Sequence, residues 1–147
     1  VVPMLTTSDE RTSSTQRSAA IPTSPRRRQF RALRVEARDS AERLREQLDR
    51  RWTLADLAQA ANLSSSQLRR IFVEAFGKSP IAYLTMLRVQ RMVELLRTTD
   101  APIAVIAAEV GWGDPDFAGR QFRRNVGVSP SEYRRISLTT TRDRAPE

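Results

Sequence analysis

The chain repeats itself, and that repeat constrains its fold more than any single motif does. A shift of 50 positions superposes Arg70 on Arg120, Phe72 on Phe122, Gly77 on Gly127, Ser79-Pro80 on Ser129-Pro130 and Tyr83 on Tyr133. Upstream a shift of 49 serves better: Leu54, Leu57 and Ala58 fall on Ile103, Ile106 and Ala107, and Leu63 falls on Trp112. The second copy therefore has one extra residue in the loop between its first two helices. Each copy opens with apolar-x-x-apolar-Ala and passes through small residues into a tight turn (Ala61-Asn62-Leu63; Val110-Gly111-Trp112). It then carries Arg-x-Phe followed by Gly-x-Ser-Pro-x-x-Tyr. A small residue on the first helix lets a second helix cross close to it, as a helix-turn-helix requires. Asn62 and Gly111 take a left-handed turn conformation at low cost. A duplicated helical hairpin with no DNA role would share the apolar pattern, but here the turn, the alanine and the following arginine recur together.

The punctuation is helical throughout, and no stretch alternates as a strand does. Thr53-x-x-Asp56 and Ser64-x-x-Gln67 read as capping boxes. Ser79-Pro80, Asp114-Pro115 and Ser129-Pro130 each place a capping side chain before a proline at the first helical position. Gly77 and Gly127 stand where helix C-caps belong. Leu44, Leu48 and Trp52 recur every four residues, as do Leu68 and Phe72. The expectation is an all-α fold of six or seven short helices. Pro80 to Thr98 predicts a connecting helix of 19 residues, ~28 Å long at 1.5 Å per residue. Two reading heads on one face of B-DNA need to be roughly 34 Å apart. Its apolar positions Leu84, Leu87, Met92, Leu95 and Leu96 are expected in the core, as are Trp52 and Trp112.

Composition closes most other readings. The chain has 147 residues and contains neither cysteine nor histidine, which excludes disulfides, thiolate metal sites and Ser–His or Cys–His catalysis. Lys78 is the only lysine and follows Gly77 without the glycine a phosphate-binding P-loop needs five places earlier. The carboxylates are scattered, no nucleophile–base pair stands out, and the chain is read as no enzyme, with no cofactor and no metal. Net charge of +8 points to a polyanion, with nucleic acid or an anionic membrane the natural choices. That charge is spread evenly, with +4 in residues 1–50 and +4 in residues 51–147. Residues 1–25 hold ten Ser/Thr, three Pro and no aromatic, too little apolar surface to offset the entropy of ordering them. The apolar start is too short for a signal-peptide core, and no run is long enough to cross a membrane. Residues 1–28 are thus expected to be a disordered basic leader ending in Arg26, Arg27 and Arg28, either solvated or a phosphate-binding arm.

The segment VGWGDPDFAGRQFRRNVGVSPSEYRR resembles the signature of the arabinose-regulator (AraC/XylS) family of bacterial transcription regulators. Gly111, Trp112, Asp114, Phe117, Arg120, Phe122, Arg123, Arg124, Gly127, Ser129, Pro130, Tyr133 and Arg134 meet that signature or replace like with like. The first copy, LADLAQAANLSSSQLRRIFVEAFGKSPIAYL, is similar to the family's first helix-turn-helix, and the likeness runs from about Ser40 to Arg135. It implies about seven helices, with two helix-turn-helix subdomains joined by a long central helix. The expected DNA-binding domain covers 29–136. Its first helix-turn-helix lies at about 53–77, the linker helix at about 80–98, the second unit at about 102–127 and a final helix at about 130–136. A flexible tail covers 137–147.

Leu68 and Phe72 must face inward, so the outward face of the first recognition helix carries Ser65, Ser66, Arg69, Arg70 and Val73. The equivalent face of the second carries Pro115, Asp116, Gly119, Arg120 and Arg123. The expected DNA-binding residues are Ser65, Ser66, Arg69, Arg70, Asp116, Gly119, Arg120 and Arg123, because the resemblance implies base contacts from these positions. An arginine there either takes guanine O6 and N7 bidentately or grips phosphate. Ser65 and Ser66 either contact DNA or cap the helix, and the helix N-termini at Thr53, Pro102 and Pro115 are further phosphate sites. The second head departs from the signature. Ala118 replaces a large apolar residue, Gly119 costs about 1 kcal/mol of helix stability relative to Ala, and Asp116 repels phosphate unless it meets cytosine N4. The first unit is therefore expected to dominate specificity.

The resulting expectation is a cytoplasmic, sequence-specific regulator that inserts two recognition helices into adjacent major grooves of promoter DNA. Its partners would be double-stranded DNA and RNA polymerase, without a membrane, and a homodimer through the N-terminal segment from Phe30 to Leu48 is a further option. Many family members carry a separate effector-binding domain, whereas only about 40 mostly polar residues precede the DNA-binding unit here. The chain thus reads as a short stand-alone regulator or as the C-terminal part of a longer one. The alternative is a helical interaction module that contacts RNA polymerase or another regulator, with DNA binding weakened or lost.

Overall fold

The computed structural model describes residues 25–144 as seven α-helices, α1 (Pro25–Glu46), α2 (Leu54–Ala60), α3 (Ser65–Phe76), α4 (Pro80–Thr98), α5 (Ile103–Glu109), α6 (Pro115–Val126) and α7 (Pro130–Asp143). The expected caps close these helices. The Thr53 and Ser64 hydroxyls accept from the Asp56 and Gln67 amides, and both reciprocal bonds form. Ser79, Asp114 and Ser129 cap helices whose first residue is proline. Gly77 and Gly127 end α3 and α6 in the left-handed conformation, and each donates its amide at 2.8 Å to a carbonyl four residues back, of Val73 and Arg123.

The repeat is geometric as well as sequential. In the α2–α3 turn Asn62 takes φ 55°, and the Leu63 amide donates to the Ala58 carbonyl at 3.0 Å. In the α5–α6 turn Gly111 takes φ 97°, and the Trp112 amide donates to the Ala107 carbonyl at 2.8 Å. These are the same bond on equivalent residues: it gives the Ala107 carbonyl at the helix end its partner, and the Ala58 carbonyl a second donor beside the Ala61 amide at 3.1 Å. Downstream, Phe72 meets Tyr83 edge-on at 5.7 Å and 73°, and Phe122 meets Tyr133 at 5.7 Å and 72°. Arg-x-Phe and Ser-Pro-x-x-Tyr recur together because the tyrosine of the following helix braces the phenylalanine of the recognition helix.

Two hydrophobic clusters result. The first joins α1, α2, α3 and the start of α4 through Ala37, Leu44, Leu57, Leu68, Phe72 and Leu84; the second joins the rest of α4 to α5 and α6 through Met92, Leu96, Ile106, Val110, Ala118 and Phe122. Leu87 is the last α4 side chain of the first and Val89 opens the second, and all five apolar linker positions expected in the core are buried. Trp52 and Trp112 are buried as well, one in each cluster.

Three boundaries differ from expectation. Leu44, Leu48 and Trp52 do not share a helix: α1 ends at Glu46, the chain turns, and Trp52 folds back so that its indole nitrogen donates to the Gln47 carbonyl at 2.9 Å. That bond satisfies a carbonyl at the helix end, which no periodicity within α1 foretells. At the N-terminus, helix α1 begins at Pro25, inside the expected leader, with proline at the position where its missing amide costs nothing. The arginine side chains at 26–28, and residues 1–24 of the leader, lie outside the described residues. At the C-terminus, α7 runs to Asp143 instead of ending near 136. A capping box at Ser129 and Glu132 starts it, and propagation from a formed nucleus adds one bond per residue. The Thr139, Thr140 and Thr141 hydroxyls donate back to the carbonyls of Arg135, Ile136 and Ser137 at 3.0–3.1 Å.

Replacing Phe122 by Ala is expected to cost about 3–5 kcal/mol, the usual range for emptying a fully buried phenylalanine site. Phe117→Ala, at a ring 41% exposed, is expected to cost no more than about 1 kcal/mol. Urea unfolding followed by circular dichroism measures both.

Candidate nucleic-acid interface

Each recognition helix buries one stripe and presents the other. In α3, Leu68, Ile71 and Phe72 are buried, while Ser66, Arg69, Arg70 and Val73 are exposed and Ser65 is half-buried. In α6, Ala118 and Phe122 are buried, Asp116, Arg120 and Arg123 are exposed, and Gly119 is half-buried. Every expected contact residue therefore lies on or at the edge of an outward face, spaced as a 3.6-residue period requires. Arg120 and Arg123 come together with Gln121 and Arg124 around an open depression of about 470 Å³.

The arginines keep their charge available. Among the described residues, none of Arg69, Arg70, Arg120 and Arg123 has a carboxylate within salt-bridge reach. Ser64 is the N-cap of α3, which removes capping as a task for Ser65 and Ser66, and neither hydroxyl is engaged among the described hydrogen bonds. An arginine whose guanidinium points to solvent retains all five donors for a phosphate or a guanine edge.

The two heads differ electrostatically at their N-terminal ends. No acid stands in the first turn of α3, so the partial positive charge of its free amides is uncompensated. At α6 the Asp114 carboxylate accepts from the Asp116 amide at 2.9 Å, and Asp116 adds a second negative charge. The two acids together with Arg123 and Arg124 in the last turn complement the α6 dipole and disfavour phosphate at the Pro115 end. The Thr53 amide is likewise taken by Asp56 at 3.3 Å, and Pro102 makes no side-chain cap bond.

Of the exposed residues outside the expected set, Val73, Arg124 and Phe117 have side chains suited to a DNA contact. Val73 is 48% exposed one turn beyond Arg69 and Arg70, a methyl-bearing surface that suits a thymine methyl group. Arg124 lines the same depression as Arg120 and Arg123. Phe117 is exposed at the start of α6, edge-on to Trp112 at 6.3 Å. The shift of 50 pairs Phe117 and Arg124 with Gln67 and Glu74, polar residues at matching positions of α3, and Phe117 and Arg124 both stand in the family signature.

Comparison with known proteins matches residues 57–136 to a helix-turn-helix domain family. Over 84 residues the chain is 39% identical to a protein of Streptomyces antibioticus named as an AraC-like transcription regulator, covering 57% of this chain and 28% of that one. The chain spans little more than a quarter of the length of this relative and of a second AraC-like transcription regulator, from Streptomyces lividans. Among solved structures, the C-terminal domain of AraT, a response regulator from Geobacillus stearothermophilus, is 31% identical with a TM-score of 0.67, over 69% of this chain and 84% of that one. The DNA-binding domain of AdpA, a global transcriptional factor solved with a target DNA, is 26% identical with a TM-score of 0.69, over 75% and 98%.

Gly119 offers a stability test that is independent of DNA. A β-carbon there meets nothing within 4 Å, and the residue sits inside a helix without positive φ. Gly119→Ala is expected to stabilise the fold by up to about 1 kcal/mol, raising the melting temperature by up to about 4 °C for a domain of this size. Differential scanning calorimetry reads it directly.

Proposed function

The chain belongs to the arabinose-regulator (AraC/XylS) family, and from that premise we propose that it is a sequence-specific transcription regulator whose α3 and α6 enter adjacent major grooves of promoter DNA. The observation that carries this reading is the duplication of one helix-turn-helix geometry, turn bond and aromatic brace included, with free arginines on both outward faces. A non-DNA hairpin has no need to preserve that face twice.

Within this reading Arg70 and Arg69 contact guanine edges, Ser65 and Ser66 contact bases or phosphate, and Val73 lies against a thymine methyl. Arg120 and Arg123 grip phosphate, and Asp116 and Gly119 line the groove. The acid-free end of α3 and the doubly acidic end of α6 favour the first head as the main source of specificity. The matched relatives are transcription regulators, so we read the chain as a binding protein and not an enzyme, acting in the cytoplasm where its DNA is. RNA polymerase is the protein partner that activation from a promoter would require. A homodimer through α1 is a separate proposal: its inner face is already spent on α3 and α4, which leaves Val35 as its large exposed apolar side chain among the described residues.

A mobility-shift titration of the full chain against the neighbouring promoter, at two salt concentrations, tests the reading. Specific binding that weakens steeply with salt is expected, because each neutralised phosphate adds about −0.9 to the slope of log K against log salt. Absent or salt-insensitive binding would instead favour an interaction module. Arg70→Ala is expected to lose about 1–3 kcal/mol at the cognate site and to relax one base position. Arg120→Ala is expected to weaken all sequences alike and to lower the salt slope by about 1. An equal or larger cognate-site loss at Arg120 would overturn the dominance of the first head.

A further inference from the structure

Arg88 is the one buried charged side chain among the described residues, 8% exposed, and it occupies the α4 position between the two hydrophobic clusters. Its guanidinium forks onto the chain just after α1. Nε and Nη2 donate to the Leu48 carbonyl at 3.2 and 3.1 Å, and Nη2 donates to the Arg50 carbonyl at 2.9 Å. Burial pushes its pKa down against the opposing pull of Asp49, but an arginine stays protonated through such a shift.

The second head closes on the same spot. A β-carbon at Gly111 would lie 2.7 Å from Arg88 Nη2 and 2.9 Å from both the Leu48 carbonyl oxygen and Asp49 Cα. Gly111 therefore serves two constraints, the left-handed turn of its own helix-turn-helix and a backbone approach to the frame of the other. Trp112 lays its ring 5.8 Å from the Arg88 guanidinium carbon, within cation–π range. Arg51 Nη2 would stand 3.9 Å from a β-carbon at Gly113, and Leu48 packs against both clusters.

The second unit supplies an internal comparison. Arg134 in α7 donates Nε to the Leu96 carbonyl at 3.4 Å and Nη2 to the Thr99 carbonyl at 3.2 Å, so it too clasps the chain at the end of the helix that precedes its head. It lies one turn earlier than Arg88 when the copies are aligned on Tyr83 and Tyr133. Arg134 joins elements on either side of one head. Arg88 performs the same task for the first head and also meets the turn of the second.

We propose that Arg88 is a positioning residue that locks the orientation of the second reading head relative to the first, and thereby sets the half-site spacing the protein accepts on DNA. The inference rests on the DNA-reading function above. A continuous helix α4 limits the separation of the heads. How each head is rotated about that helix is held by packing, and the Arg88 junction is where the turn of one head bears on the frame of the other. One base pair of spacing displaces a half-site by about 3.4 Å and rotates it by about 34°, so a lock on rotation is a lock on spacing.

The chain contains no cysteine, so spin labels at Glu74→Cys in α3 and Asn125→Cys in α6, both exposed, report the inter-head distance without DNA. In the otherwise unchanged chain one narrow distance distribution is expected. Arg88→Met and Arg88→Lys are expected to broaden it about twofold, as an ensemble of head orientations becomes populated. Arg134→Met is expected to leave it unchanged. In parallel, selection from random DNA with the full chain should yield a dominant base cluster for the first head and a weaker one, read through Asp116 at a cytosine, at one fixed spacing. Arg88→Met should bind sites with one base pair inserted or removed within about threefold of its best site, where the unchanged chain discriminates about tenfold or more. An unchanged distribution and spacing in both Arg88 variants overturns the lock, as does loss of helical circular dichroism in both, which would make Arg88 a residue of stability alone. A wild-type chain that selects no DNA sequence overturns the DNA-reading function instead, and the label distances still decide the lock.

Discussion

One helix serves two cores, and that demand shapes the rest of the molecule. A helix that buries a single face needs apolar residues on a stripe of about 100°. Helix α4 must face the first head at its start and the second along the remainder, and its buried residues accordingly run from Pro80 through Leu96 around much of its circumference. Its counterpart α7 opens with the same Ser-Pro-x-x-Tyr but closes over one head only. Beyond Tyr133 it turns polar, with Ile136 and Leu138 exposed. The two helices diverge because their burial tasks differ, while the bracing tyrosine is retained in both.

How much of this the amino-acid sequence disclosed depends on the range of the interaction. Capping boxes, proline starts and left-handed glycines act within four or five residues, and all of them stand where the sequence placed them. The inward stripes of α3 and α6 follow from period alone, and so the outward faces, with the expected contact residues on or beside them, were legible too. The end of α1 was not. Leu44, Leu48 and Trp52 keep helical spacing, but the chain turns because the Trp52 indole finds the Gln47 carbonyl, and a carbonyl carries no mark in the sequence. The same holds for Arg88. Arginine is rarely buried without partners, and its partners here are the backbone oxygens of Leu48 and Arg50. Gly111 takes the left-handed turn its type suits, while its second constraint comes from Arg88 and from the backbone of Leu48 and Asp49, 23 to 63 positions away in the sequence.

Charge shows the same dependence on arrangement. A net charge of +8 suggests a polyanionic partner, yet half of that excess lies in residues 1–50, outside α3 and α6. Helix α6 places acids at its positive end and arginines at its negative end, an order that stabilises the helix and spends part of its field internally. Helix α3 leaves its N-terminal end uncompensated. Two recognition helices with similar arginine faces can therefore present different potentials to a phosphate backbone, and the difference lies in where a few side chains stand and not in the total.

Joining two modest readers raises affinity only if both can engage at once. Linkage makes the second engagement intramolecular, and the gain falls steeply when the geometry of the link does not match the target. Helix α4, ~28 Å long at 1.5 Å per residue, is close in scale to one turn of B-DNA, about 34 Å. Scale is not enough, because the recognition helices must also point into their grooves together, and any freedom of rotation is lost as entropy on binding. A buried arginine that clasps one head and touches the other removes part of that freedom before DNA arrives. The desolvation it suffers is offset by three hydrogen bonds to carbonyls and an aromatic face, and the absence of a β-carbon at Gly111 makes the approach possible. On this account the stiffness of the junction belongs to specificity as much as to stability, since a head free to swivel would accept half-sites that a locked head rejects.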